Sequence, residues 1–302
     1  VSTFLHRVND DPEMILEVSF EAVSLGEVEV ALFSHAPRFF PGTLRVAVYR
    51  VGPVLVDTGS PYDLPLLLSW LSLSPPRVVL LTHHHEDHAG GVLGISEFFP
   101  EVKVYAPPKT LSYLKDPPPL PFYRKAIWGE APPLSGIHPL PEEGHLEVEG
   151  RRFSILPTPG HTPWHVSFLY HGSRSYLFLG DLITRYRSPL EWYECSIPAK
   201  IRSLNWILET VTDPFLLPSH LPPEEGGREK LEGERRWLEG EREQVLRKAE
   251  ELGTRDPAVI SQALYGREPA LFSLSQGEFG LRAFVRGVLD PVENLPAPPL
   301  FP

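Results

Sequence analysis

The chain predicts a layered α/β fold in which helices cover packed sheets, and three observations carry that expectation. Apolar runs of strand type, TLRVAVYR, PVLVDTG, RVVLLTH and VKVYAP, recur from residue 43 to residue 106, separated by turn residues and amphipathic stretches. A second batch follows in RRFSILPTPGH, HVSFLYHG and SYLFLGDLI. With 302 residues, 42% of them hydrophobic and 22% charged, there is enough chain to bury a sizeable core in one large domain or two modest ones.

Between the two batches, residues 107 to 145 are dense in proline and carry Tyr113, Phe122, Tyr123 and Trp128, which predicts an irregular loop or lid. From about residue 228 the composition changes to REKLEGERRWLEGEREQVLRKAEELG, where charges of both signs fall at helical spacing around Leu231, Trp237, Leu238, Val245 and Leu246. A long, partly amphipathic helix is expected there, with Gly253 at its end. Asp256 ahead of Pro257 then reads as the cap of a second helix in DPAVISQALYG. The trailing NLPAPPLFP reads as a frayed tail, and no repeats or low-complexity tracts occur.

Composition narrows the chemistry. A net charge of -11 disfavours a broad, nonspecific grip on polyanions, so nucleic acid is a possible but not a favoured partner. The single cysteine, Cys195, excludes an intrachain disulfide and a thiolate cluster, leaving imidazole and carboxylate as metal donors. No apolar run reaches the length of a membrane span, and VSTFLHRVNDDPEM lacks a basic segment followed by a long apolar one. A cytoplasmic protein without a membrane partner is therefore expected, with no oligomeric state implied. Arginine exceeds lysine 21 to 7, asparagine and glutamine total 6, and proline reaches 35, a pattern of heat-adapted chains with stiffened loops.

The chemistry concentrates in THHHEDHAGG, residues 82 to 91, directly after the apolar run RVVLL. A strand that ends in such a cluster sets several side chains on one rim, where a short loop aims them at a common point. A histidine tag is the plain alternative, and it fails because the run is internal, interrupted by Glu86 and Asp87, and framed by a strand and a Gly-Gly turn. Four further signals each close an apolar run: Asp57 in LVDTGS, His161 in PTPGHTPWH, Asp181 in LFLGDL and His220 in LLPSH. Any one alone is weak, since a lone histidine after a strand is usually packing and a lone Gly-Asp a turn. Together with the histidine cluster they are specific.

In this order the five signals resemble the metallo-β-lactamase superfamily over residues 28 to 220. The resemblance implies an αβ/βα sandwich whose strand ends form a metal cleft. One metal would be held by His83, His85 and His161, and a second by Asp87, His88 and His220, with Asp181 bridging them and Asp57 orienting ligands from behind. Asp57, Asp87 and Asp181 are the implied catalytic carboxylates. Two zinc ions are expected, and iron or manganese suits the same donors. Glu86 and His84 are expected to face solvent, because alternate residues of the loop should point away from the metals. Thr158, Thr162 and His165 are expected at the pocket wall, and Asp57 is the main candidate for a hydrogen bond from behind a ligand.

Residues 220 to 266, with HLPPEEGG, ERRWLEGEREQVL and VISQALYG, are similar to the lactamase-beta-2-like branch, in which a helical, winged-helix-type appendage packs near the cleft and some members cleave single-stranded RNA. The remaining chain keeps a helix but no obvious two-strand wing, and TRYRSPLEWYECSIPAK replaces the small Gly-rich turn of close relatives after Asp181. The implied organisation is a catalytic domain over 1-220, with the Pro-rich insertion at about 107-145, and a degenerate winged-helix-like helical appendage over 221-302.

A hydrolase of a small or medium anionic ester or thioester, as in glyoxalase II-like members, is the expected function, with a small molecule as partner. The alternatives are a single-stranded RNA endonuclease and a mono-iron sulfur dioxygenase, while β-lactam hydrolysis is disfavoured by the missing export signal. Tyr123, Trp128, Tyr186 and Trp192 are expected to wall the cleft, with Arg185 and Arg187 supplying a confined positive charge.

Overall fold

The computed structural model describes residues 4–7, 16–37, 42–141 and 144–289. The tail read as frayed lies outside them. Eight strands form the first sheet in strict chain order, beginning with Phe4–Arg7, Leu16–Leu25, Val28–Pro37 and Leu44–Val51. These first four are antiparallel, and the sheet then turns parallel through Val54–Val56, Val78–Leu80, Lys103–Ala106 and His138–Pro139. The second sheet has five strands, with Phe215–Pro218 at one edge, then Ser175–Gly180, Val166–His171, Arg151–Pro157 and His145–Val148.

Burial follows from position in these sheets. Val54–Val56 and Val78–Leu80 are buried at every residue, which is why they read as unbroken VLV and VVL. The first long hairpin, Leu16–Leu25 with Val28–Pro37, instead alternates buried and part-exposed residues around the turn at Gly26, whose φ of 74° suits glycine. The strand-like runs picked out in the sequence begin at residue 43 and omit this hairpin, although its period-two alternation is present in VEVALFSHAP.

Three apolar layers hold the sandwich. Between the sheets, Tyr49, Val56 and Leu80 meet Phe153, Phe168 and Phe178. The outer face of the first sheet is covered by helices Leu64–Leu71 and Val92–Phe98 through Leu67, Leu71, Val92 and Ile95. The outer face of the second sheet, with Leu156, Leu169, Leu177 and Leu179, shares one core with helices Ile197–Thr210, Gly227–Leu252, Pro257–Tyr265 and Leu281–Leu289. In the long helix, Leu231, Leu238 and Val245 recur every two turns on the buried face, each stabilising by about 1.5–3 kcal/mol. Gly253 ends this helix at φ 61°, and the Asp256 carboxylate accepts from the Ala258 N–H at 2.8 Å at the start of the next.

The proline-rich segment is only partly the irregular loop expected of it. It forms helices Leu111–Lys115 and Phe122–Trp128, and His138–Pro139 then adds a last strand to the first sheet. Proline is tolerated because it stands at helix starts, as Pro121 does ahead of Phe122, or in the irregular stretches between helices, as Pro117 to Pro119 and Pro132 to Pro133 do, where a missing N–H costs no helical bond. Among the described residues, no helix is long and apolar enough to cross a membrane.

Candidate metal centre

The residues picked out in the sequence come from five strand ends on one rim of the sandwich. Asp57 follows Val54–Val56, the histidine cluster follows Val78–Leu80, His161 follows Arg151–Pro157, Asp181 follows Ser175–Gly180, and His220 follows Phe215–Pro218. Asp57 has φ 60°, a left-handed conformation that disfavours residues other than glycine and occurs at sites where the surroundings over-determine it. Here the surroundings are specific. Its N–H donates to Leu80 O at 2.9 Å, and its carboxylate accepts from the Thr82 N–H at 2.8 Å, the Thr82 hydroxyl at 2.8 Å and His88 Nδ1 at 2.8 Å.

Two groups of donor atoms adjoin. In the first, His85 Nδ1 lies 3.0 Å from His83 Nε2 and 3.1 Å from His161 Nε2. In the second, His220 Nε2 is 3.4 Å and His88 Nε2 3.8 Å from Asp87 Oδ2. The Asp181 carboxylate faces both, with Oδ1 at 3.2 Å from His88 Nε2 and Oδ2 at 3.4 Å from His161 and 3.2 Å from His220. Each triad gathers its donor atoms within 4.8 Å. Ligands bound at about 2.0–2.1 Å around one tetrahedral ion stand about 3.3 Å apart, so these spacings fit a metal. Buried His88 Nε2 and Asp181 Oδ1 face each other at 3.2 Å without a well-directed hydrogen bond, so a cation between them would take donor atoms that no strong bond holds.

The reverse sides of the rings are fixed. His83 Nδ1 meets the Thr82 hydroxyl at 3.0 Å, which in turn donates to Asp57. His88 Nδ1 bonds Asp57 directly, and His220 Nδ1 donates to the Arg45 carbonyl. Tyr49 and Ala47 hold the loop that carries His220, through the Pro218 carbonyl at 2.6 Å and the Ser219 carbonyl at 2.8 Å. His165 is a support: its Nε2 accepts from the Asp181 N–H at 3.0 Å, and Nδ1 reaches Thr158 O at 3.1 Å. Gly180, at φ 53°, lets this happen, because a Cβ there would sit 2.5 Å from His165 Nε2.

Electrostatics divide the two triads. Burial holds His83 and His161 well below the usual imidazole range and His85 at about 3, favouring neutral rings with free lone pairs. Burial also opposes charge on His88 and His220, yet carboxylates outweigh it. Asp181, Asp87 and Asp57 hold His88 well above its ordinary value, and Asp181 with Asp87 holds His220 at about 10. Burial likewise works against the ionised Asp87 and Asp181, but the adjacent histidines pull both below the usual carboxylate range.

The cleft above the cluster has a volume of about 720 Å³, and Tyr123, Trp128, Arg185 and Trp192 line it as expected from sequence. Tyr186 and Arg187 do not line it. Tyr186 packs against the outer core of the second sheet and donates to Glu224, while the Arg187 N–H donates to Glu234 at 2.8 Å, so the chain turns away there. Glu86 is also corrected. It is buried, not solvent-facing, and takes a two-pronged ion pair from Arg124, with Nε to Oε1 at 2.6 Å. His84 is half-buried against the Tyr113 ring rather than open to solvent, with ring centroids 5.0 Å apart. Thr162 is buried beside His161, and its hydroxyl lacks a hydrogen-bond partner.

Sequence reasoning missed four buried groups around the cluster. Thr82 belongs to the very motif that was read, Arg124 holds Glu86, Lys200 pairs with the cleft residue Glu191, and Glu194 stands 3.5 Å from His85 Nε2. Thr82 could have been found from its place between the strand and the first ligand. The other three lie in segments without a motif.

Strand ends carrying two adjoining donor triads that face one shared carboxylate define a metal-binding α/β sandwich protein. The chain belongs to the metallo-beta-lactamase superfamily, whose family model matches residues 43–261. It is 32% identical over 130 residues to a hydroxyacylglutathione hydrolase of Yersinia enterocolitica and 33% identical over 131 residues to one of Serratia proteamaculans. Each match takes in 43% of this chain and only 42% of the relative's length. Among solved structures, a beta-lactamase domain protein from Burkholderia ambifaria covers 94% of this chain and 88% of its own, with a TM-score of 0.58 at 17% identity. A metallo-beta-lactamase family protein from Thermus thermophilus covers 95% and 91%, with a TM-score of 0.54 at 20% identity. Both show likeness of fold.

Proposed function

We propose that this chain is a metal-dependent hydrolase of an ester or thioester, working with two divalent ions. The observation that carries this reading is the Asp181 carboxylate, which faces His161 on one side and His88 and His220 on the other. His83, His85 and His161 would hold one ion and Asp87, His88 and His220 the other, with Asp181 bridging. Zinc is the proposed metal, because imidazole and carboxylate donors suit it, and iron or manganese would take the same set. Two such ions supply Lewis acidity and a lowered pKa of water at neutral pH.

The chain's own residues do the rest. Asp57 and Thr82 hold His83 and His88 in the tautomers that turn Nε2 toward the cluster. His165 fixes the backbone of Asp181, and the cleft walls position the substrate and exclude water. The hydroxyacylglutathione hydrolases support a thioester over other acyl compounds. An RNA substrate has less support, because Arg187 lies away from the cleft and the chain carries a net charge of -11. A mono-iron oxidation centre would leave Asp87, His88 and His220 gathered without a use.

The test is hydrolysis of a panel of esters, thioesters, lactones and phosphodiesters by metal-loaded and chelator-treated protein. Metal-dependent turnover of esters or thioesters is expected. Metal-dependent cleavage of single-stranded RNA alone would overturn the acyl reading.

A further inference from the structure

The cleft has a polar floor and apolar walls. His85, Asp87, His161, Asp181 and His220 form the floor. One wall comes from the helix Phe122–Trp128, with Phe122, Ile127 and Trp128, and the other from the chain's C-terminal part, with Leu271, Leu274 and Phe279. The walls are tied to each other by the Tyr123 hydroxyl, which donates to Glu278, and to the floor's edge by pairing of Glu191–Trp192 with Phe279–Gly280.

Two facts set the chemistry of the occupant. First, the buried charges beneath the walls pair with each other, Arg124 with Glu86 and Lys200 with Glu191, while Arg45 and Arg185 also line the cleft, the Arg185 guanidinium standing 5.7 Å from the centroid of the Phe279 ring. Second, the walls are apolar where they meet solvent, with Phe122 65% exposed and Leu274 37% exposed. Apolar side chains lining a cavity of this size are covered when a ligand of matching surface enters.

We propose that the walls hold a hydrocarbon acyl chain, making the preferred substrate an ester or thioester of a medium-length or long aliphatic acid. The proposal rests on the hydrolase reading above and adds the identity of the acyl group. In the reaction the oxygen of water joins the acyl carbon, the bond from that carbon to oxygen or sulfur breaks, the alcohol or thiol leaves with one proton of the water, and the other proton passes to solvent. The fatty acid remains as its carboxylate. An acetyl group would fill little of the 720 Å³, whereas an eight-carbon chain would fill more of it and offer apolar surface to the wall residues. Each methylene moved from water to an apolar site is a factor of about four in affinity.

The experiment is a series of 4-nitrophenyl esters from acetyl to decanoyl, read as kcat/KM with zinc-loaded protein, together with direct calorimetric binding of decanoate and acetate. The expected result is a rise of at least about tenfold in kcat/KM from acetyl to octanoyl, the lower bound that the methylene factor allows after partial burial. Phe122→Ser and Leu274→Ser, both at exposed positions, should each shrink the octanoyl-to-acetyl ratio at least about threefold, close to one lost methylene's worth of contact. Hydrolysis with a flat or falling dependence on chain length overturns the proposal and leaves the hydrolase reading standing. If no ester is hydrolysed but decanoate binds tighter than acetate and the two serine variants weaken it, the hydrocarbon site stands and the ester reading falls. Equal binding of decanoate and acetate overturns the site itself.

Discussion

The carboxylate of Glu194 stands 3.5 Å from Nε2 of His85, on the side of the ring opposite the nitrogen that meets His83 and His161. Both residues are buried, and Glu194 Oε2 has no other hydrogen-bond partner. A carboxylate placed there favours the tautomer of His85 that carries its proton on Nε2 and offers Nδ1 to a metal. Glu194→Gln is therefore expected to weaken the first metal ion by about 10–100-fold, measured by competition with a chromophoric chelator. Unchanged affinity would show that His85 is oriented without Glu194.

Metal content follows from the two triads. Protein prepared without chelator should hold two divalent ions per chain by elemental analysis, because seven donor residues exceed one tetrahedral shell. Asp181→Ala should lower that content and abolish turnover while leaving the circular dichroism spectrum near that of the parent, since the core is built from the apolar sheet faces. Full activity in this variant would exclude the bridging role.

Protons distinguish the ions. In metal-free protein the neighbouring carboxylates favour the protonated form of His88 and His220, whereas burial favours the neutral form of His83, His85 and His161. Binding at Asp87, His88 and His220 must therefore displace protons, and its apparent affinity should climb about tenfold per pH unit for each proton displaced, up to the raised His220 value of about 10. Binding at the other triad should vary little across the neutral range. Calorimetry in two buffers of different protonation enthalpy measures the count, and an absence of proton release for both ions would contradict this division.

Arg124 and Glu86 are 8% and 3% exposed, so each charge is compensated chiefly by the other. Arg124→Ala strands the Glu86 carboxylate beside the cluster and should cost about 3–5 kcal/mol in urea unfolding. The double change to Arg124→Met with Glu86→Leu should recover much of that loss. A single variant as stable as the parent would mean that Glu86 reaches solvent.

A fragment ending near residue 225 is expected not to fold. It would lack Leu231, Leu238, Val245, Ile260 and Phe284, which share one core with Leu156, Leu177 and Leu179 of the second sheet. Release of a stable, active fragment of that length by limited proteolysis would show instead that the C-terminal helices are dispensable.

The strand ends and the cluster after RVVLL were legible because ligand chemistry is concentrated in sequence there and each further signal closes an apolar run. Glu86 departs from the alternation expected of a loop because it begins a helical turn, Glu86–Ala89, and so swings toward Arg124. Nothing within the motif announces Arg124, which arrives from a helix 38 residues away in sequence. The same limit applies to Tyr186 and Arg187: a run of three adjacent side chains cannot all face one cavity, and the left-handed φ of 48° at Arg187 turns the chain outward. The helices Gly227–Leu252 and Pro257–Tyr265 were visible as charge pattern and caps, whereas the part the later Leu271 to Phe279 stretch plays in walling the cleft rests on tertiary packing that no local pattern encodes.

The cover on the second sheet also has a consequence during synthesis. Its strands end at Pro218, but the helices that shield Leu156, Leu169, Leu177 and Leu179 run on to Leu289. A ribosome releasing the chain from its N-terminus exposes a broad oily surface long before the last helix can seal it. Chains halted before that point would keep those leucines uncovered, so among the described residues it is closure of Leu281–Leu289, not assembly of the metal cluster, that would end the exposure.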